Sequence, residues 1–137
     1  MKRLSRIMIG ACLAFTITLN QARADIVVIV SAQSNTRTLS YEQISRIFQG
    51  KSNLMTPVDL SRPSRVRDDF YTKVVAMDEA DVMAEWSRLV FTGKVHAPKQ
   101  FPSGAEVVEA VAADPTLIGY VDSSFVNMTV KVICTVK

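Results

Sequence analysis

The chain has 137 residues, with sixteen lysines and arginines against thirteen aspartates and glutamates, a net charge of +3 and an isoelectric point near 9.0. Four of those positive charges (Lys2, Arg3, Arg6 and Arg23) and no acid lie in residues 1–24, so residues 25–137 carry twelve positives against thirteen negatives. The basic balance belongs to the N-terminal segment, which excludes a nucleic-acid binder, and the 113 residues that remain suffice for one domain with one core.

Residues 1–24 read as an export signal. Lys2, Arg3 and Arg6 form a basic start, Ile7 to Leu19 is an apolar run too short for a comfortable membrane span, and Ala22-Arg23-Ala24 is a small-x-small cleavage site. Cleavage after Ala24 is expected, leaving a periplasmic chain that begins at Asp25. A competing reading takes Ile9-Gly10-Ala11-Cys12 as a lipoprotein-processing box with Cys12 lipidated. The short spacing from Arg6 and the continuation of the apolar run past Cys12 oppose it. After cleavage only Cys134 remains, so no intramolecular disulfide forms. Val130, Val132, Cys134 and Val136 alternate along a strand, and Cys134 is expected to be a core thiol.

Asp25 to Ser31 is a β-branched run, expected to be a strand covered on both faces. Ser34-Asn35-Thr36 is a loop. Ser40-Tyr41-Glu42-Gln43 has capping-box spacing and opens a helix with Tyr41, Ile44, Ile47 and Phe48 on one side, ended by Gly50. Lys51 to Thr56 leads to a short strand, Pro57 to Leu60. A helix follows Ser64, with Val66, Phe70 and Val74 at i, i+4 spacing and an Asp69–Lys73 ion pair expected beside them. Another runs from about Ala80 to Val90, with Val82, Trp86, Leu89 and Val90 on one stripe, so Trp86 is read as core. Thr92 to Pro102 reads as a loop. It holds His96, a surface residue with no metal-ligand spacing around it. Ser103-Gly104-Ala105-Glu106 opens a helix carrying Val107, Val108, Val111 and Ala112, stopped by Asp114-Pro115. Leu117 to Val121 and Val130 to Val136 are strands.

The order β-α-β-α-α-α-β-β predicts an α/β domain with a mainly parallel sheet and helices on both faces. Ligands of such sheets sit at the carboxyl ends of strands. Leu60–Arg67, Ser31–Thr38 and Gly119–Ser124 are the turns expected there. The first is the richest, with two serines and three arginines. Pro63 suits the start of a helix, and Ser61 or Ser64 caps its first turn. Free amides, a positive helix end and hydroxyls suit an anion, whereas solvated arginines beside an ordinary cap would suit none.

Ser40-Tyr41-Glu42-Gln43-Ile44-Ser45-Arg46-Ile47-Phe48-Gln49-Gly50-Lys51 is similar to a segment of phosphate-type ABC transporter substrate-binding proteins. Pro57-Val58-Asp59-Leu60 followed by Phe70-Tyr71 resembles their strand-to-helix ligand turn. Glu85-Trp86-Ser87-Arg88-Leu89-Val90-Phe91-Thr92-Gly93-Lys94 and Ile118-Gly119-Tyr120-Val121-Asp122 resemble their small, one-lobe branch. The resemblance implies a single periplasmic-binding-protein-like lobe over 25–137. Their turn reads Arg-x-x-x-Ser-Gly-Thr. Ser64 falls on its serine, while Leu60, Arg65 and Val66 replace its arginine, glycine and threonine. The expectation is a solute-binding module for phosphate or a similar small oxyanion, held by Ser64, Arg65 and Arg67, with a membrane transporter or sensor protein as partner. The alternative is an accessory domain that docks on a membrane protein without a ligand of its own. No catalytic set, metal cluster or cofactor motif is visible, so no enzyme and no cofactor are expected.

Overall fold

A computed structural model describes residues 24–137. The export-signal and Cys12 readings fall almost wholly on residues 1–23, outside the described residues. Five strands and four α-helices form a mixed α/β lobe: β1 (Ile26–Ser31), α1 (Tyr41–Phe48), β2 (Thr56–Leu60), α2 (Arg65–Phe70), α3 (Glu79–Phe91), β3 (Lys99–Phe101), α4 (Gly104–Ala113), β4 (Leu117–Asp122) and β5 (Val130–Val136). A π-helical turn, Tyr71–Val75, continues α2, and a 3-10 turn, Ser123–Phe125, follows β4. No helix among the described residues is long and apolar enough to cross a membrane.

The sheet order is β3-β2-β4-β1-β5. β2 pairs parallel with β3 and β4, whereas β1 runs antiparallel between β4 and β5. Four strands therefore share one direction and β1 opposes them. This reversal moves Ser31–Thr38 away from the edge where β2, β3 and β4 end, so that turn does not join the other two as expected. All six residues of β1 are buried, as its unbroken β-branched run predicts. β3 was hidden in what reads as a proline-bracketed loop. Its three residues gain strand geometry only by pairing with β2, Val58 beside Lys99 and Leu60 beside Phe101.

Helices cover both faces. Gly119 in β4 lies under α4, where an added Cβ would come within 2.9 Å of Val107, 3.1 Å of Val58 and 3.2 Å of Val111. Its missing side chain lets the helix approach the sheet. The next residue, Tyr120, faces the other side and stacks on Phe70 at 3.8 Å between ring centroids, with Phe48 edge-on to Phe70 at 4.8 Å. Trp86 is core, as expected, and its indole N–H donates to the Phe48 carbonyl at 2.7 Å.

Local signals hold at the helix starts. Ser40 and Gln43 form both bonds of the capping box, at 3.2 and 2.9 Å. Ser64, not Ser61, caps α2, and Ser103 caps α4. Pro63 sits one residue before the Ser64 cap, after a cis Arg62–Pro63 peptide, rather than inside the helix. Two packing expectations change. The π turn from Tyr71 winds wider than an α-helix, so Asp69 and Lys73 do not pair; Asp69 lies instead 3.9 Å from Arg65. In β5 a bulge inserts Ile133, because Val28 pairs with Cys134 while Ile29 pairs with Val132. The buried set becomes Val130, Ile133 and Val136. Val132 is exposed and Cys134 is half-buried, not the fully buried thiol its spacing suggested.

Candidate functional site

β2, β3 and β4 all end at one edge of the sheet. Leu60 is level with Phe101, and the parallel pairing of β2 with β4 brings Asp122 to the same side. The segments that leave these strands are Ser61–Ser64, Pro102–Ser103 and Ser123–Phe125, and each begins a helix or a helical turn. Ser61 fastens two of them: its N–H and hydroxyl both donate to the Phe101 carbonyl, at 2.9 and 3.3 Å. Asp122 caps the third by accepting the Ser124 N–H at 2.9 Å.

Ser64, Arg65 and Arg67 lie within one turn at this edge, but in three different environments. The Ser64 hydroxyl oxygen accepts the Arg67 backbone N–H at 3.1 Å, which leaves the hydroxyl proton free to donate. Arg65 is exposed, and its nearest acid, Asp69, is at 3.9 Å. Arg67 is 1% exposed. Its guanidinium donates to the Leu60 carbonyl at 2.6 Å, lies 3.1 Å from Asp59 and holds Glu79 Oε1 at 2.5 Å through Nη2 and 2.7 Å through Nε. Arg62 reaches the same Glu79 oxygen at 2.5 Å from the solvent side.

Arg67 belongs to a buried polar cluster that the sequence pattern did not reveal. Asp59, 1% exposed, accepts hydrogen bonds from Tyr71 at 2.6 Å, from Tyr120 and from the Leu60 N–H at 2.9 Å. Burial and the Asp59 charge hold both phenols far above the ordinary tyrosine value, so they stay protonated donors. Burial works against the Arg67 charge, but Asp59 and Glu79 beside it prevail and raise its value. Burial also opposes the Glu79 charge, yet hydrogen bonds from Arg67 and Arg62 hold its carboxyl below the usual range. Among the described residues no buried side-chain nitrogen or oxygen lacks a partner, and no group of three or more His, Cys, Asp or Glu is placed to hold a metal. The one signal for this cluster in the sequence was Asp59 itself, an acid inside an apolar strand.

No family model and no curated protein match the chain. Solved structures do. An ABC-type phosphate transport receptor from Vibrio cholerae superposes with a TM-score of 0.65 at 16% identity, over 81% of this chain and 46% of that one. A putative phosphate ABC transporter substrate-binding protein with bound phosphate from Clostridium perfringens gives 0.65 at 20% identity, over 81% and 45%. PstS from Borrelia burgdorferi gives 0.60 at 12% identity, over 81% and 47%. The fold is that of a periplasmic-binding-protein lobe. The chain spans about half the length of these neighbours. In this periplasmic-binding-protein-like lobe, the carboxyl edge carries the Ser64 turn, braced from beneath by Arg67. The turn presents the Ser64 hydroxyl and the exposed Arg65 guanidinium, which lies 3.9 Å from Asp69 and is not hydrogen-bonded to it.

Proposed function

We propose that this chain is an exported solute-binding module for phosphate or a similar small oxyanion, cleaved after Ala24 and working beside a membrane transporter or sensor. The anion rests on the turn around Ser64. Ser64 donates its hydroxyl proton, Arg65 supplies mobile charge, and Arg67, its own charge balanced by Asp59 and Glu79, fixes the turn against β2 and α3. The observation that carries this reading is the position of that turn. It lies at the carboxyl edge of a lobe whose structural neighbours are phosphate substrate-binding proteins, and its donors are not used up internally. The reading involves binding without chemical conversion, and no enzymatic role is proposed.

Calorimetry with phosphate and sulfate tests it. A charge-assisted hydrogen bond contributes about 1.5–3 kcal/mol, so Ser64→Ala and Arg65→Ala should each weaken phosphate binding by roughly tenfold to a hundredfold. Unchanged affinity in both variants places the site elsewhere. Absence of heat with any anion favours the docking module, for which the internal neutralisation of Arg67 by Asp59 and Glu79 is the specific support. Mass spectrometry of the exported protein should find Asp25 first; a lipidated Cys12 would overturn cleavage after Ala24 and make the protein a membrane-anchored lipoprotein.

A further inference from the structure

We propose that a second site, separate from the Ser64 turn, binds a small amphipathic monoanion of the medium-chain carboxylate class. It is a cavity of about 840 Å³ at the opposite edge of the sheet, where β2, β3 and β4 begin, between the loop after α1 and the loop after α3. That volume falls within the roughly 300–1,000 Å³ typical of small-molecule pockets. Its inner wall is apolar: the ring of Trp86 with Val58, Phe101 and Leu117. Trp86 has already committed its N–H to the Phe48 carbonyl, so it offers the cavity a hydrophobic face and no donor.

The mouth has one sign of charge. Lys51 approaches from the end of α1 and Lys99 from the start of β3, and no aspartate or glutamate lines the cavity. Neither lysine forms an ion pair among the described residues; the nearby Glu85 is held by Arg88 at 2.6 Å. Lys99 lies over the Phe101 ring at 5.2 Å, so its charge sits directly above the apolar wall. An apolar chamber under two unpaired ammonium groups matches a ligand with a hydrocarbon body and a single anionic head. Burial of the body supplies most of the affinity, and the lysines select the head. Inorganic phosphate lacks the body and does not fit this pattern.

Trp86 is the only tryptophan in the chain and lies on the cavity wall, so its emission reports occupancy directly. Titration of the purified protein with octanoate should give a saturable change in that emission, and 1-octanol should bind more weakly. Charge reversal of both exposed lysines (Lys51→Glu with Lys99→Glu) should weaken octanoate by about tenfold or more and leave octanol nearly unchanged. Ala110→Phe, which fills the cavity from α4, should abolish both. Phosphate should not compete with octanoate. Equal binding of octanoate and octanol, indifference to charge reversal, or no saturable change in the wild type would overturn the proposal. So would an emission shift that follows protein dilution instead of ligand, which would give the cavity to a second copy of the chain. None of these outcomes depends on whether the Ser64 turn binds phosphate.

Discussion

Replacing Arg67 with Ala should be far more damaging than any other change in the Ser64 turn. Arg67 is 1% exposed and satisfies Asp59, also 1% exposed, as well as Glu79 and the Leu60 carbonyl. Removing it leaves Asp59 with two phenols and one amide but no compensating charge. Breaking one side of a buried ion pair costs about 3–5 kcal/mol, against a total stability of about 5–15 kcal/mol for a domain of this kind. Urea unfolding followed by Trp86 emission measures it. With a slope of about 1–3 kcal/mol per molar, the midpoint should fall by on the order of 2 M. Arg65→Ala, on the exposed side of the same helix, should shift stability by no more than about 0.5 kcal/mol. Combining Arg67→Met with Asp59→Asn removes both charges and should recover part of the loss, since a neutral pair needs no counter-charge. A loss below about 1 kcal/mol for Arg67→Ala would refute the reasoning. It would mean that water reaches the guanidinium and that Arg67 is free for a ligand.

Three further outcomes are expected. The Glu79 carboxyl is held below its ordinary value of 4.5 despite partial burial, through hydrogen bonds from Arg67 and Arg62, so its contribution is complete above that value and is lost as pH falls through the folded one; urea midpoints across the acid range should show this drop, and Glu79→Gln should diminish it. Trp86→Ala removes a core ring and its bond to the Phe48 carbonyl and should cost about 3–5 kcal/mol, whereas near-normal melting would make Trp86 a peripheral platform. Gly119→Ala drives a methyl to within 2.9 Å of Val107 under α4 and should cost about 1–3 kcal/mol by thermal unfolding; an unchanged melting temperature would mean that α4 can lift off the sheet freely.

The sequence by itself determined the local structure. The β-branched run of β1, the capping pair Ser40 and Gln43, the cap at Ser64 and the Asp114-Pro115 stop all act within a few residues, so they are legible without the fold. The buried stripe of α1 and the core place of Trp86 follow from helical spacing alone. The tertiary structure alone decided what depends on distant partners. β1 runs against its neighbours through antiparallel pairing with β4 and β5, strands from the far end of the chain, and β3 is a strand only because β2 lies beside it. The β5 stripe failed at Ile133, since a bulge shifts register against β1 without leaving a mark on the alternation of its own residues. The candidate site divides along the same line. Ser64 and Arg65 were visible as a hydroxyl and a charge at a strand-to-helix turn. That Arg67, two residues on, points inward was not, because its direction is set by Asp59 and Glu79, which reach it from β2 and α3, with Tyr71 and Tyr120 holding Asp59 from the π turn and β4. A buried charge is stable only where such partners converge, and that convergence is a property of packing, not of neighbours in the chain.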